Sequence, residues 1–197
     1  MKLSFKILTL CLLLPFLSVL SVLLSVHFGN ENIKTTNLLS YFGVIISHII
    51  VFYIAFKINI FKLESNKISF NEILFSLGIS VVLFFSYYSE FHLFKPLEKP
   101  TFDFSRLIYV LFAVPIIEEI FNKKIVFKNL LQLKLKPYLA ILLSASYFAI
   151  SHLPDIYITH FVFGLVTTFI YFRNKNLIQT ILIHSFYNMS IIVFNLI

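Results

Sequence analysis

The chain has 197 residues, of which 59% are hydrophobic and only 13% charged, whereas a soluble domain carries about 25% charged residues. This composition excludes an ordinary soluble fold and predicts an all-α, polytopic bundle of transmembrane helices. The net charge of +7 does not indicate a nucleic acid partner, because the basic residues lie mainly between apolar runs; the expected partner is the lipid bilayer.

Seven apolar runs approach the roughly 20 residues that cross a hydrocarbon core. They lie at about 5–28, 38–61, 70–94, 104–127, 138–153, 157–172 and 176–196. With a cytoplasmic N-terminus, twelve Lys or Arg residues fall in inner segments and three in outer ones, with one ambiguous. This bias favours seven spans with the C-terminus outside. We therefore expect a multi-pass protein of a bacterial cell membrane, with its first run retained because no signal-peptide cleavage site follows it.

The fourth run contains two adjacent acids, Glu118 and Glu119. Charged residues inside a membrane usually face a bundle interior or a water-filled cavity. Alternatively, both acids mark the inner helix end and pair with Lys123 and Lys124, since Lys123 stands at i+4 from Glu119. Neighbouring helical residues differ by about 100° in direction, so one carboxylate should face a cavity while the other supports it. Pro115 predicts a kink beside the acids.

In each of two later runs, a histidine lies about one helical turn from a second side chain on the same helix face. Phe148 and His152 share one helix face at i, i+4, as do His184 and Asn188. His184 and Asn188 thus place an acid/base group and an amide donor on one stripe. A single intramembrane His more often makes a hydrogen bond between helices than it catalyses a reaction. We assign structural, interfacial or intermediate positions to the other histidines, His48, His27, His92 and His160.

Three segments, EEIFNK, FAISH and HSFYN, occur in this order. Together they resemble the CPBP family of CAAX proteases and bacteriocin-processing enzymes, also called the ABI family. That family's pattern is two Glu followed four residues later by Arg, then Phe-x-x-x-His, then His-x-x-x-Asn or Asp. The resemblance covers about 104–193, so we divide the chain into N-terminal transmembrane helices without family signal (1–100) and a catalytic transmembrane core (101–197).

The resemblance implies an intramembrane endopeptidase that cleaves a membrane-embedded or lipid-anchored peptide. It implies that Glu118 is the base that activates a water, with His152 positioning that water, and that His184 and Asn188 stabilise the oxyanion. Bacteriocin processing is one role that the family name suggests.

Supporting roles follow from the same resemblance. Glu119 would orient the site together with Lys123, and Phe148 would support His152. Lys123 stands where the family usually has Arg; Lys keeps the charge but lacks the planar bidentate fork.

The residues leave two questions open. Glu118, His152 and His184 could form a Zn²⁺ set with an open position for water, although no close ligand pair such as His-Glu-x-x-His is present, and we favour catalysis without a metal. Other function classes are a non-catalytic membrane protein, acting in bacteriocin immunity or as a regulatory partner, and a proton-coupled transporter.

Overall fold

The computed structural model describes residues 46, 49, 50, 53, 67–94, 107–152 and 158–196. These residues contain helices and no strand, which confirms the all-α expectation for the part of the chain they cover. The chain packs as two units, Met1–Leu63 and Glu64–Ile197. The first two predicted runs lie almost wholly outside the described residues, so seven spans and a cytoplasmic N-terminus stay predictions.

The second unit has five helical stretches within the described residues. Four are regular: α1 is Phe70–Phe94, α3 is Pro137–Ile150, α4 is Ile158–Asn174 and α5 is Leu177–Leu196. The remaining one, α2, follows an unbroken helical path over 109–132. Within α2, α-helical Val114–Glu119 and Lys128–Gln132 alternate with π-helical Tyr109–Ala113 and Ile120–Phe127.

Local chemistry explains where these helices begin and end. Ser69 and Glu72 form a capping box at the start of α1, with the Ser69 N–H donating to Glu72 Oε2 at 2.8 Å. Pro137 begins α3, where a missing N–H costs nothing. The chain leaves α2 and α4 through Lys134 and Lys175, whose φ values of 61° and 54° lie in the left-handed region that commonly ends helices.

The helices pack in two main pairs, α1 with α5 and α3 with α4, while α2 contacts α5 and α3. One buried cluster joins α1, α3, α4 and α5 and contains Leu83, Phe148, Phe163, Ile170, Ile183 and Tyr187. The α3–α4 crossing is close at Gly164, where an added Cβ would lie 3.0 Å from Ala145 Cα. Between α1 and α5, the Ser80 hydroxyl donates to the Ile183 carbonyl oxygen at 2.8 Å. Such small and hydroxyl-bearing residues are typical of contacts between membrane helices.

Two helices among the described residues are long and apolar enough to cross a membrane, Phe70–Glu90 and Leu177–Phe194. Pro137–Ile150 is apolar but shorter. The third, fifth, sixth and seventh predicted runs agree with α1, α3, α4 and α5 to within three residues at each end.

The fourth run requires a correction, because helix α2 continues to Gln132 rather than ending near residue 127. Lys123 and Lys124 were counted among the inner-segment cations, yet both side chains are fully buried within α2. They therefore give no support to the charge bias from which the topology was inferred.

The predicted disturbance near Pro115 takes the form of a π-helical turn. The Val114 N–H donates to Tyr109 five residues back, instead of to Val110 four residues back. Pro115 has no N–H, so it cannot donate a hydrogen bond to the Val110 carbonyl oxygen, its acceptor in the π-helical pattern, either. The Val110 carbonyl oxygen, eight residues before Glu118, is thus left without a donor from either of these residues.

Candidate active site

Helices α2, α3 and α5 bring Glu118, His152 and His184 together. Glu118 Oε2 lies 3.7 Å from His152 Nε2 and 4.0 Å from His184 Nε2. Three residues that are distant in the sequence therefore meet at one carboxylate oxygen. That oxygen is buried and has no hydrogen-bond partner within the described part of the chain. A buried carboxylate oxygen without a donor is costly, so this is a place where a water or another polar group would be stabilised.

Both histidines direct Nε2 toward Glu118 because each Nδ1 already makes a hydrogen bond elsewhere. His152 Nδ1 lies 2.7 Å from the Phe148 carbonyl oxygen, one turn back at the end of α3. His184 Nδ1 lies 3.2 Å from Glu119 Oε1. A carbonyl and a carboxylate oxygen only accept, so each Nδ1 is the protonated nitrogen. In the neutral ring each Nε2 then carries a lone pair directed toward Glu118.

Glu119 lies behind the site rather than in it. Its side chain is fully buried, and Oε2 lies 3.3 Å from Lys123 Nζ. The two neighbouring acids thus take different surroundings, as their difference in helical direction predicted. Glu118 lines the cavity, and Glu119 links His184 to Lys123.

Lys123 shows how a lysine can occupy the position of the family's arginine. Its Nζ donates to Thr167 Oγ1 at 2.9 Å and to Thr168 Oγ1 at 3.0 Å, besides pairing with Glu119. The two threonine hydroxyls each accept one N–H of the ammonium group, and the Glu119 carboxylate balances its charge. The Thr167 hydroxyl in turn donates to the Phe163 carbonyl oxygen at 2.9 Å, so the hydrogen bonds from Lys123 extend to the backbone of α4. Helix α4 therefore holds the cation in place without a planar guanidinium.

The site opens into a cavity of about 280 Å³. Its polar wall contains Glu118, His152, His160, His184 and Asn188, and apolar and aromatic side chains, among them Phe148 and Phe163, complete it. Phe148 contacts the imidazoles of both His152 and His184, with ring centroids at 4.7 and 6.0 Å. This volume suits a short stretch of peptide together with a water.

Asn188 reaches the same cavity and also supports α2. Its side-chain amide nitrogen donates to the Val110 carbonyl oxygen at 2.9 Å. This is the oxygen that the π-helical turn and Pro115 deprive of helical donors. A primary amide has two N–H groups, so one remains for another acceptor.

The structure adds residues that the sequence patterns did not single out. Thr167 and Thr168 anchor Lys123, and His160, which the sequence left intermediate, stacks on His152 with ring centroids 4.2 Å apart. Thr is common in apolar helices and His160 lies in no motif, so no sequence signal distinguished them.

Residues 100–190 match the family model described as type II CAAX prenyl endopeptidase Rce1-like. This segment is therefore similar to the CPBP family of CAAX protease-like proteins. The match covers 91 of the 197 residues and agrees with the family resemblance inferred from the three segments. Comparison with curated proteins and with solved structures gave no significant match.

Proposed function

We propose that this CAAX protease-like region hydrolyses a peptide bond in a membrane-embedded or lipid-anchored peptide, with Glu118 as the general base. The observation that carries the proposal is the unpartnered, buried Glu118 Oε2 between two imidazole nitrogens. A water held there contacts a proton acceptor, and the cavity beside it has room for the scissile bond.

In the proposed reaction, Glu118 accepts a proton from the water while the water oxygen attacks the peptide carbonyl carbon. His152 positions the water through Nε2. The carbonyl oxygen becomes an oxyanion and the C–N bond then breaks. The proton held by Glu118 passes to the departing amine, which leaves a carboxylic acid and an amine and restores the Glu118 carboxylate.

The oxyanion needs hydrogen-bond donors fixed in advance, since donors that need not reorganise are the most effective. His184 Nε2 can donate when the ring carries both protons, a state whose positive charge Glu119 compensates at 3.2 Å. The second N–H of Asn188 is the other candidate donor. Lys123 and its threonine partners hold Glu119, and through it the His184 ring.

The alternative is a Zn²⁺ ion held by Glu118, His152 and His184. Ligand atoms about 2.0–2.1 Å from a tetrahedral ion lie about 3.4 Å from one another. The measured separations of 3.7 and 4.0 Å are longer, and within the described residues no three His, Cys, Asp or Glu side chains form a group that could hold a metal. These separations favour catalysis without a metal, which is the mechanism that we propose.

The test is cleavage of a library of membrane peptides by the purified full-length protein and its Glu118→Gln, His152→Ala and His184→Ala variants. We expect cleavage by the wild-type protein, unaffected by a chelator, and a loss of at least about 100-fold in each variant. Equal cleavage by all four proteins would refute the assignment. Loss on chelation, reversed by added Zn²⁺, would refute the metal-free mechanism, and a wild-type protein without any cleavage would favour the immunity or regulatory role.

A further inference from the structure

His152 is held by one hydrogen bond to its own helix, and that bond alone does not fix the direction of its Nε2. The bond joins Nδ1 to the Phe148 carbonyl oxygen at 2.7 Å. His152 also lies just beyond the last residue of α3, where the regular helix no longer constrains it. About a quarter of its side chain is exposed. The ring could therefore turn about the hydrogen-bonded atom and carry Nε2 away from Glu118.

His160 supplies the missing constraint. Its ring stacks on that of His152 with centroids 4.2 Å apart and planes inclined by 19°. Near-parallel aromatic rings resist tilting, because tilting loses contact over the ring face. Phe148 contacts the His152 ring as well, at 4.7 Å and an angle of 48°. One hydrogen bond and two ring contacts together fix both the position and the plane of the imidazole.

His160 is itself held from a distant part of the chain. It is the third residue of α4, in a first turn whose N–H groups have no helical acceptors. The carboxylate of Glu90 on α1 accepts two of them, Ile158 N–H to Oε1 and Thr159 N–H to Oε2, both at 2.8 Å. A negative charge at a helix N-terminus also interacts favourably with the helix dipole. Glu90 therefore anchors the turn that carries His160.

We propose that Glu90 and His160 are positioning residues: Glu90 fixes the first turn of α4, His160 fixes the plane of His152, and His152 thereby holds its Nε2 toward Glu118. The proposal rests on the proposed peptidase function for its kinetic consequence. Glu90 lies outside residues 100–190 and His160 lies in none of the three motifs, so the family resemblance assigns no role to either.

The kinetic test compares His160→Ala with His160→Phe, and Glu90→Ala with Glu90→Gln, in the full-length protein at a temperature where each stays folded. Misplacing a catalytic group by about 1 Å can cost about 100-fold in rate, so we expect kcat of His160→Ala to fall about 10- to 100-fold with little change in KM. Phe restores a flat ring without a nitrogen and should recover most of kcat. Glu90→Ala should resemble His160→Ala, with Glu90→Gln in between because one oxygen acceptor remains.

The double variant Glu90→Ala/His160→Ala should lose little more than either single variant, since both act on the same ring. Wild-type kcat in His160→Ala, or a His160→Phe variant no more active than His160→Ala, would overturn the proposal. A fully additive double variant would overturn the part assigned to Glu90.

A spectroscopic measurement separates this proposal from the peptidase function. In protein labelled with ¹⁵N-histidine, the His152 ring signals, assigned with the His152→Ala variant, should show the Nδ1–H form in the wild type and in His160→Phe. In His160→Ala they should show averaging between forms, and unchanged signals there would refute the positioning role. Cleavage by Glu118→Gln at the wild-type rate would refute the peptidase function instead, and the ring signals would still test His160.

Discussion

The side-chain amide of Asn188 donates a hydrogen bond to the carbonyl oxygen of Val110, which the π-helical turn and Pro115 leave without a helical donor. Val110 is the residue five positions before Pro115, and its other helical donor, the Val114 N–H, binds Tyr109. Helix α5 thus supplies a donor that α2 lacks, eight residues before Glu118. The motif residue Asn188 accordingly has a structural contact as well as its proposed role at the oxyanion.

We expect Asn188→Ala to lower the free energy of unfolding by about 1–3 kcal/mol, because it leaves the Val110 carbonyl oxygen unsatisfied. Adding Pro115→Ala supplies a backbone N–H at residue 115 and should recover part of that loss. Chemical unfolding in detergent measures both variants. Ser190→Ala on the same helix is the control, since within the described residues the Ser190 hydroxyl bonds only to its own helix, at the Phe186 carbonyl oxygen. Strictly additive effects of the two substitutions would contradict the proposed compensation.

Removing the positive charge of Lys123 should lower stability and activity more than replacing Lys123 with Arg. Lys123→Met leaves the Glu119 carboxylate buried without its cation and removes the donor to the Thr167 and Thr168 hydroxyls, and breaking a buried pair in this way costs about 3–5 kcal/mol. Lys123→Arg keeps the charge and should retain more stability and activity than Lys123→Met. Thermal unfolding and peptide cleavage measure the two effects.

Two further variants make the Lys123 test specific. The double variant Glu119→Gln/Lys123→Met removes both charges and should be more stable than Lys123→Met alone. Lys136→Met, at an exposed position, should change neither stability nor cleavage measurably. A Lys123→Met variant as stable as the Lys136→Met control would show that the buried pair has no such importance.

Gly164 tests whether the α3–α4 crossing sets the position of His152. A methyl group there would lie 3.0 Å from Ala145 Cα and 3.2 Å from Phe148 Cβ, so Gly164→Ala must push α3 away and move Phe148. We expect a loss of about 1–3 kcal/mol in stability and a fall in kcat. Gly78→Ala is the matched control, because an added Cβ at Gly78 meets no atom of the described residues within 4 Å. Equal activity of the two variants would contradict this account of the crossing.

The sequence predicted the helices of the second unit, and it predicted that the segments EEIFNK, FAISH and HSFYN form one site. Both features can be recognised from short sequence patterns. Apolar runs interrupted by polar turns show where α1, α3, α4 and α5 lie. The i, i+4 spacing of Glu119 and Lys123 also anticipated their ion pair. Within such short ranges, helix geometry alone decides which side chains are neighbours.

Contacts between distant helices could not be derived in this way. At 1.5 Å per residue, Glu118 would lie about 15 Å from an inner helix end at Lys128, and His152 about 22 Å from one at Pro137, if the helices were straight and upright. In the structure they lie 3.7 Å apart. The count took Lys128 as the inner end of a helix that continues to Gln132, and α2 contains two π-helical segments that alter the rise per residue. The contacts of Glu90 with the first turn of α4 and of Thr168 with Lys123 depend on the same tertiary packing.

The central claim is that Glu118 removes the proton from the attacking water, and Glu118→Gln tests it most directly. Gln keeps the size of the side chain but is no base, so we expect kcat for a membrane peptide to fall at least about 100-fold with the fold intact. Glu72→Gln is the matched control, since Gln can also complete the capping box at the start of α1, and its kcat should match that of the wild type. Equal rates in the wild-type and Glu118→Gln proteins would contradict the account.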